Sequence, residues 1–469
     1  MSTLTNTTKA GDFVLSERVL LTSYKSFKKT SEPYSIDIRQ LVAEIQIYES
    51  INNVILTGRL TLVDGAGVLD DLPLTGHELL EFTLYTPGMT PTDTTTPTGF
   101  DFTRESGHPM FVYNITNITE PNQGTKLYTL EFCSREEVRS SQKKISRAFT
   151  GAVSDIVRNI LRNDLKSKKN FLYEPTKGLT KYVMPKLSPF DCIEFMQSEA
   201  ISAFNTDSSG YYFYETRLGF HFKSLEGMIS KGKSGGKYRE PVAKYTNTPK
   251  TEGGKLYDKD NANITKVLEF KLRSRFNSLR NIRRGVYASR LITHDLFTKR
   301  FEEHDFNYYS EYIKQNHLEQ DSDGGKKAFN GILPFFNYDK GDTFASKNEG
   351  TLHYQSETTK SHNDYEFPVS KDILQKRVSQ TQALNSLTIE ITVPGITEIR
   401  TGDIVTFTLP NYRKTPEEDL EAKDIYISGR YLINAARHHV SAINKRHTMV
   451  LELVKDSFNV GYPDEELDI

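Results

Sequence analysis

The sequence predicts a β-rich α+β protein of several domains, organised around two antiparallel β modules. Two observations predict this. Several stretches alternate apolar and polar residues with a period of two, which is the mark of a half-buried strand. Tyr and Phe are abundant while Trp is absent, and with the alternating runs this favours β structure. Only in the middle of the chain and at 371–386 does the pattern turn helical.

Composition bounds the reading. A length of 469 residues suggests three or four domains. With 26% charged and 36% hydrophobic residues the chain is expected to be globular and water-soluble. A net charge of −1 gives no global drive toward nucleic acid or anionic membrane. No apolar run approaches the ~18 residues of a membrane span, and the polar start Met1-Ser-Thr-Leu-Thr-Asn lacks the apolar core of a signal peptide. Two cysteines, Cys133 and Cys192, fit a reducing compartment and no disulfide framework.

Taken in order, residues 1–33 are polar and read as an arm or edge segment. Strands are expected near 34–48, 53–63 and 79–86. In the second, Leu60 and Leu62 alternate with Arg59 and Thr61 after the apolar run Val54-Ile55-Leu56, and Asp64-Gly65 ends it with turn chemistry. In the third, Leu80, Phe82 and Leu84 alternate with Glu81, Thr83 and Tyr85. Residues 86–98, rich in Thr, Pro and Gly, read as a loop. Strands at 109–119 and 125–134 complete a first β module, residues 1–135.

The period then lengthens to about 3.6 residues. Val153, Ile156, Val157, Ile160, Leu161 and Leu165 form one apolar helix face, with Thr150 as candidate N-cap. A second helix opens at Ser188-Pro189-Phe190-Asp191: Ser188 caps, Pro189 suits the first helical position, and Asp191 stands where a capping-box acid belongs. With strands at 211–214 and 218–223, residues 136–225 read as a small α+β domain. Residues 226–262, rich in Gly and Lys, read as a flexible insertion.

A second β module is expected in two pieces, 263–300 and 373–456, interrupted by an inserted domain at 301–372. Its clearest strand alternates Leu387, Ile389, Ile391 and Val393 with Thr388, Glu390 and Thr392, and Pro394-Gly395 ends it. Further strands are expected near 264–275, 403–409, 425–434 and 446–455. Residues 457–469 form an acidic tail. Asn53–Gly58–Asp64 is faintly echoed by Asn281–Gly285–Asp295, a possible internal duplication with unequal spacings.

Four constellations could carry chemistry. Gly227-Met-Ile-Ser-Lys-Gly232-Lys233-Ser234 fits the literal P-loop pattern, and Gly232-Lys-Ser-Gly-Gly236 fits the serine-hydrolase elbow. Both motifs need a helix directly afterwards, and Gly235-Gly236-Lys237-Tyr238-Arg239-Glu240-Pro241 is a poor helix start, so a loop is expected. The basic residues Lys266, Lys271, Arg273, Arg275, Arg280, Arg283, Arg284, Arg290, Lys299 and Arg300, with Phe270, Phe276 and Tyr287 between them, have the ingredients of a nucleic-acid groove. A solvated strand face or subunit contact is the favoured reading, because no nucleic-acid-binding fold signature is present and the net charge is near zero. His438 and His439 are adjacent, so in a strand they point to opposite faces and make a poor metal pair with His447. Carboxylates show no spacing that argues for acid/base catalysis. Asn114, Asn117 and Asn263 head formal glycosylation sequons that read as plain strand sequence. No catalytic, cofactor or metal residue is assigned.

The strand, the connection Val63-Asp-Gly-Ala-Gly-Val-Leu-Asp-Asp-Leu-Pro-Leu-Thr-Gly76 and the strand after it resemble the first barrel of the central baseplate hub proteins of contractile-tailed, T-even-like bacteriophages. The resemblance extends to Tyr128–Glu137, the helix 151–165, Leu187–Ile193, Tyr211–Leu225 and the ending from Ser428–Ile433 to Leu451–Ser457. The order of these segments is more specific than any one of them. It implies two tail-tube-like barrels per chain and a non-enzymatic structural virion protein without cofactor. It also implies a homotrimer, whose pseudo-sixfold ring adapts the tail tube protein above to the central spike or tail lysozyme protein below. Its axial channel would pass the genome and the tape-measure protein, and DNA would meet the chain only in transit. Surrounding baseplate wedge proteins are further implied partners. Synthesis in the host bacterial cytoplasm and residence in the virion tail follow from the same likeness. Departures fall in insertions near 87–106, 226–262, 318–372 and 411–424. Two other classes compete: a tail-associated peptidoglycan hydrolase, which would need a compact catalytic domain, and a nucleic-acid-binding protein using residues 266–300.

Overall fold

A computed structural model of the chain describes residues 3–4, 10–23, 33–72, 74–90, 99–204, 208, 210–230, 239–247, 264–274, 277–295, 299–308, 311, 315–319, 337–339, 342–343, 352–357, 369–410, 424 and 426–458. The chain is β-rich and multi-sheeted, as its sequence predicts. The candidate loop at 231–236, the basic-run members Arg275 and Phe276, Asn263 and the tail beyond 458 lie outside the described residues.

The first module uses β1 (Leu20–Ser23), β2 (Val42–Ser50), β3 (Thr57–Asp64), β4 (Leu79–Glu81), β5 (Met110–Asn122) and β6 (Thr125–Ser134). They pair in the order β1-β4-β5-β6-β3-β2. β1 lies inside the segment expected to be a polar arm, and Val19 and Leu21 are buried in the core. Leu60 and Leu62 of β3 are buried and Arg59 is exposed, so the alternation sets the faces. At the end of β3 the Asp64 carboxylate accepts from the amides of Ala66, Val68 and Leu69 at 3.0, 3.1 and 2.9 Å. Burial works against its charge, but these amides hold its pKa below the ordinary value. This is the turn that Asp64-Gly65 announces.

The second module repeats the plan. β9 (Ala243–Thr246), β10 (Glu269–Ser274), β11 (Leu387–Pro394), β12 (Ile404–Thr408), β13 (Gly429–Ser441) and β14 (Arg446–Lys455) pair in the order β9-β12-β13-β14-β11-β10. Chain order and spatial order of these six match those of the first six; the first module also carries a strand at Tyr34–Asp37, paired with β1, that has no counterpart among the described strands. Both long hairpins carry an irregularity at the same place, after Val112 opposite Phe132 and after Ile433 opposite Leu453. Leu130-Glu131-Phe132 thereby superposes on Leu451-Glu452-Leu453. One difference stands out: β1 meets β4 antiparallel, whereas β9 meets β12 parallel.

The repeat corrects two expectations. The counterpart of β3 is β11. The residues echoing Asn53–Asp64 lead instead to the strand Ala288–Asp295, which lies outside this sheet, between Arg300–Asn307 and Leu352–Glu357. The segment read as a flexible insertion supplies β9. A four-residue strand among Gly and Lys leaves no periodic signal to read.

Between the modules, α1 (Arg135–Gln142), α2 (Val153–Asn159) and α3 (Pro189–Ser198) pack on β7 (Tyr211–Thr216) and β8 (Gly219–Ser224). The predicted face Val153, Ile156, Val157, Ile160, Leu161 and Leu165 is buried, the last turns being a π-helix over Ile160–Asp164. Thr150 is not the cap. It lies in the strand Ala148–Gly151, paired with Thr180–Val183, and Ala152 occupies the N-cap without a side-chain bond. Ser188 and Asp191 form the reciprocal capping box.

The helix α4 (Val369–Leu384) leads into β11, where Leu387, Ile389, Ile391 and Val393 are buried and Thr388, Glu390 and Thr392 half-buried.

Candidate assembly surface

The two modules share one sheet. β13 pairs with β2 antiparallel, from Ala435 opposite Ser50 to Ser441 opposite Glu44. Eight strands therefore follow one another as β10-β11-β14-β13-β2-β3-β6-β5, every neighbour antiparallel. Four antiparallel steps restore the strand direction, so β10 and β2 run the same way. The halves are thus related by a rotation about an axis along the strands.

One face of these strands is the core: Ile45 and Ile47, Leu60 and Leu62, Leu130 and Phe132 on one side, Ile389, Ile391, Leu451 and Leu453 on the other. The opposite face is polar across the whole width. Asn114, Glu131, Arg59, Gln46, His439 and Thr448 form one cross-strand row. Arg59 Nε donates to Glu131 at 3.0 Å and Asn114 Nδ2 donates to its other oxygen at 3.1 Å. His439 pairs with Glu44, and Arg273 with Glu390. Arg59–Glu131 and Arg273–Glu390 match part of the charge on this face, while Arg437 of β13 stands exposed on it.

Among the described residues this row ends at β10 and at the part of β5 beyond Phe111, where its pairing with β4 stops, and the repeat indicates what such edges do. Ile45 opposes Leu60, which opposes Leu130; Phe270 opposes Ile391, which opposes Leu451. Ile47 and Leu272 are therefore equivalent positions. Ile47, covered by β13, is 0% exposed, whereas Leu272 on the free edge is 44% exposed. On β5, the counterpart of β13, Ile118 is also exposed.

The seam between the halves is reinforced by polar contacts. The amides of Thr86 and Thr397 each donate to the other's hydroxyl at 3.1 and 3.0 Å. Glu398 accepts from the Gly99 amide at 3.1 Å and pairs with Arg217 of the middle domain. His438 and His447 stack at 5.3 Å between centroids and share a 3.2 Å hydrogen bond. Burial pushes His438 well below its ordinary pKa and His447 down to about 3.

The middle domain is tied to the root of β6 by Lys169. Its Nζ lies 2.9 Å from Glu136 and 2.5 Å from Glu215, and Glu215 also accepts from Ser134 Oγ at 2.6 Å and the Leu56 amide at 2.9 Å. Burial disfavours the ammonium, but the two carboxylates outweigh it and raise its pKa. Beside this cluster, Asp101, His108, Lys169, Arg217 and Gly219 line a cavity of about 150 Å³. Sequence reasoning missed Lys169, because Lys168-Lys169-Asn170 reads as a solvated run and its partners lie far off in sequence.

The candidate sites are dispersed. In the basic run, Lys271 and Arg273 stand on β10 paired with Glu390, Arg290 pairs with Glu303 and Asp305, and Arg300 with Glu302. Phe270 stacks on Phe407 and Tyr287 is buried. Among the described residues the run spans two sheets, and Lys271, Arg273, Arg290 and Arg300 are met by carboxylates. His438 and His439 do point to opposite faces. Gly227, the first residue of the motif, lies in the short helix Leu225–Ile229, at the motif's start, whereas a phosphate site needs a helix after the motif. Among the described residues no group of three or more His, Cys, Asp and Glu could hold a metal ion. None of their helices is long and apolar enough to cross a membrane.

No family model matches the chain, and no curated protein matches its sequence. Among solved structures, a tail protein from Neisseria meningitidis is similar over 95% of this chain and 97% of its own, at 10% identity and a TM-score of 0.48. A 43 kDa tail protein of a Shewanella oneidensis prophage is similar over 94% and 98%, at 10% identity and 0.45. An Escherichia coli component of the type VI secretion system, described as similar to bacteriophage tail proteins, matches over 90% and 76%, at 9% identity and 0.37.

Proposed function

We propose that this chain is a structural, non-enzymatic subunit of a contractile-tail baseplate, the hub that joins the sixfold tail tube to the threefold spike. Three copies close a ring through β5 of one copy and β10 of the next, and the polar face of the eight strands lines an axial channel for genome and tape-measure passage. The observation that carries this reading is the doubled six-strand unit. The joint already made inside the chain, β13 on β2, is the kind of joint the free edges offer between chains. A head-to-tail contact related by rotation generates a closed ring when the rotation closes. Six similar positions from three chains then meet a sixfold partner on one side and a threefold partner on the other. The ion pairs Arg59–Glu131 and Arg273–Glu390 on the channel face would weaken its hold on a passing polyanion. The sequence resemblance to the hub family supports the same assignment, including residence in the virion tail beside tube, spike and wedge proteins.

The test is the mass and shape of the purified chain. Sedimentation equilibrium should give three times the 53.6 kDa chain mass, and negative-stain images should give a ring with an open axis. A stable dimer or tetramer would overturn the proposal. So would turbidity clearing of purified cell wall, which the hydrolase reading requires.

A further inference from the structure

One buried acid at the seam has no role in ring closure. Glu49 of β2 is 2% exposed, opposite Ala436 of β13. Oε2 accepts from the Thr401 amide at 3.3 Å, the Arg217 backbone amide also favours the ionised carboxylate, and Oε1 has no hydrogen bond. Its neighbours come from all three parts of the chain. Arg217, from the turn between β7 and β8, and Arg400, from the turn before β12, face it with their charges, and Tyr214 of β7 lies beside it. Both guanidiniums are already engaged, Arg217 with Glu398 and Arg400 with Asp403 at 3.1 Å. Beyond them lie His221, stacked on Tyr214, and the cations Lys223 and Arg239.

We propose that Glu49 is a proton-linked latch on the seam. Neutral, it leaves Arg217 clamped to Glu398, whose carboxylate also holds the Gly99 amide. Ionised, it competes for Arg217, draws the guanidinium away and frees Glu398 from its place. The Gly99 segment of the first module then loosens from the turn of the second, while the β13–β2 ladder remains. The site supplies both requirements of a switch: a buried acid with an unmatched oxygen, and a cation clamped to Glu398 whose charge also acts on that acid.

Burial is the largest influence on Glu49 and raises its pKa to about 7, with the Thr401 amide, Arg217 and Arg400 opposing. A raised value means that the closed state holds the proton more tightly than the open one. Closure is therefore favoured fully at low pH and is lost as pH rises from the ordinary value of 4.5 to about 7.

Amide hydrogen exchange of the full chain, corrected for the intrinsic pH dependence, tests this at Gly99. Protection should fall between pH 5 and 7, by up to about tenfold per pH unit, the limit for one linked proton, and level off above. In Glu49→Gln, which mimics the neutral acid, protection should stay high and flat across that range. In Glu398→Gln it should be low throughout, because the weakened clamp no longer depends on Glu49. An unchanged pH slope in Glu49→Gln would overturn the latch, as would undiminished Gly99 protection in Glu398→Gln.

Discussion

His447 lies under Gly395 so closely that a Cβ on that glycine would stand 2.1 Å from the ring. Together with His438 it is sealed from water, and neither ring can accept a proton without breaking that seal. Their folded pKa values are depressed, so the stability they permit is full above the unfolded value of about 6.5 and is lost as pH falls toward the folded one. Denaturant titrations of the chain should therefore lose up to about 1.4 kcal/mol per pH unit for each histidine between pH 6.5 and 4. His447→Gln should flatten that slope, whatever it does to stability at pH 7. An unaltered slope would place the acid lability elsewhere. At this scale the sequence was legible where one strand decides the matter: adjacent histidines in a strand must diverge, and they do. Lys169 and Glu49 were illegible, because their burial is decided by partners from distant parts of the chain.

Elements whose signal is local were read correctly. The alternation of β11 and the capping box of α3 each fit within one turn or one strand. Thr150 failed as a cap because pairing with residues some thirty positions later claims its backbone for a strand, and tertiary pairing outweighs a cap's contribution of about 1 kcal/mol. The register of β11 is open to direct test. Ile391 is 0% exposed between Phe270 and Leu451, so Ile391→Asp places an unpaired charge in the core at a cost of several kcal/mol. That is a large share of a total stability of roughly 5–15 kcal/mol, and soluble yield should collapse. Thr392 lies on the polar face, and Thr392→Asp should leave the folded chain intact by circular dichroism while lowering its oligomer content if that face is shared. Normal folding of Ile391→Asp alongside unfolding of Thr392→Asp would mean that the strand is read one residue out of register.

For the whole molecule, class and order were legible but the duplication was not. Its two halves share little beyond Leu-Glu-apolar in the last strand, and an inserted sheet separates β10 from β11. What aligns them is pairing order, a property of contacts rather than letters. The duplication gives a matched pair of variants. Ile47 and Leu272 are equivalent positions, one inside the seam and one on the free edge. Ile47→Asp should unfold the chain, whereas Leu272→Asp should leave a folded monomer that no longer assembles in sedimentation equilibrium. If Leu272→Asp still forms the full-mass oligomer, β10 is not the closing edge.

The continuous seam also bears on how fast such a ring could be built. Every β13–β2 joint forms as its own chain folds, at a rate that owes nothing to how many other chains are present. Only the alternate joints depend on encounter. A ring of six like positions made from separate single units would accumulate with the sixth power of free subunit; made from doubled units, it does so with the third. At the low concentrations early in production, that difference in order decides whether closed rings or partial arcs predominate. In the ring proposed above, the doubled chain would bias the outcome toward closure before any partner arrives.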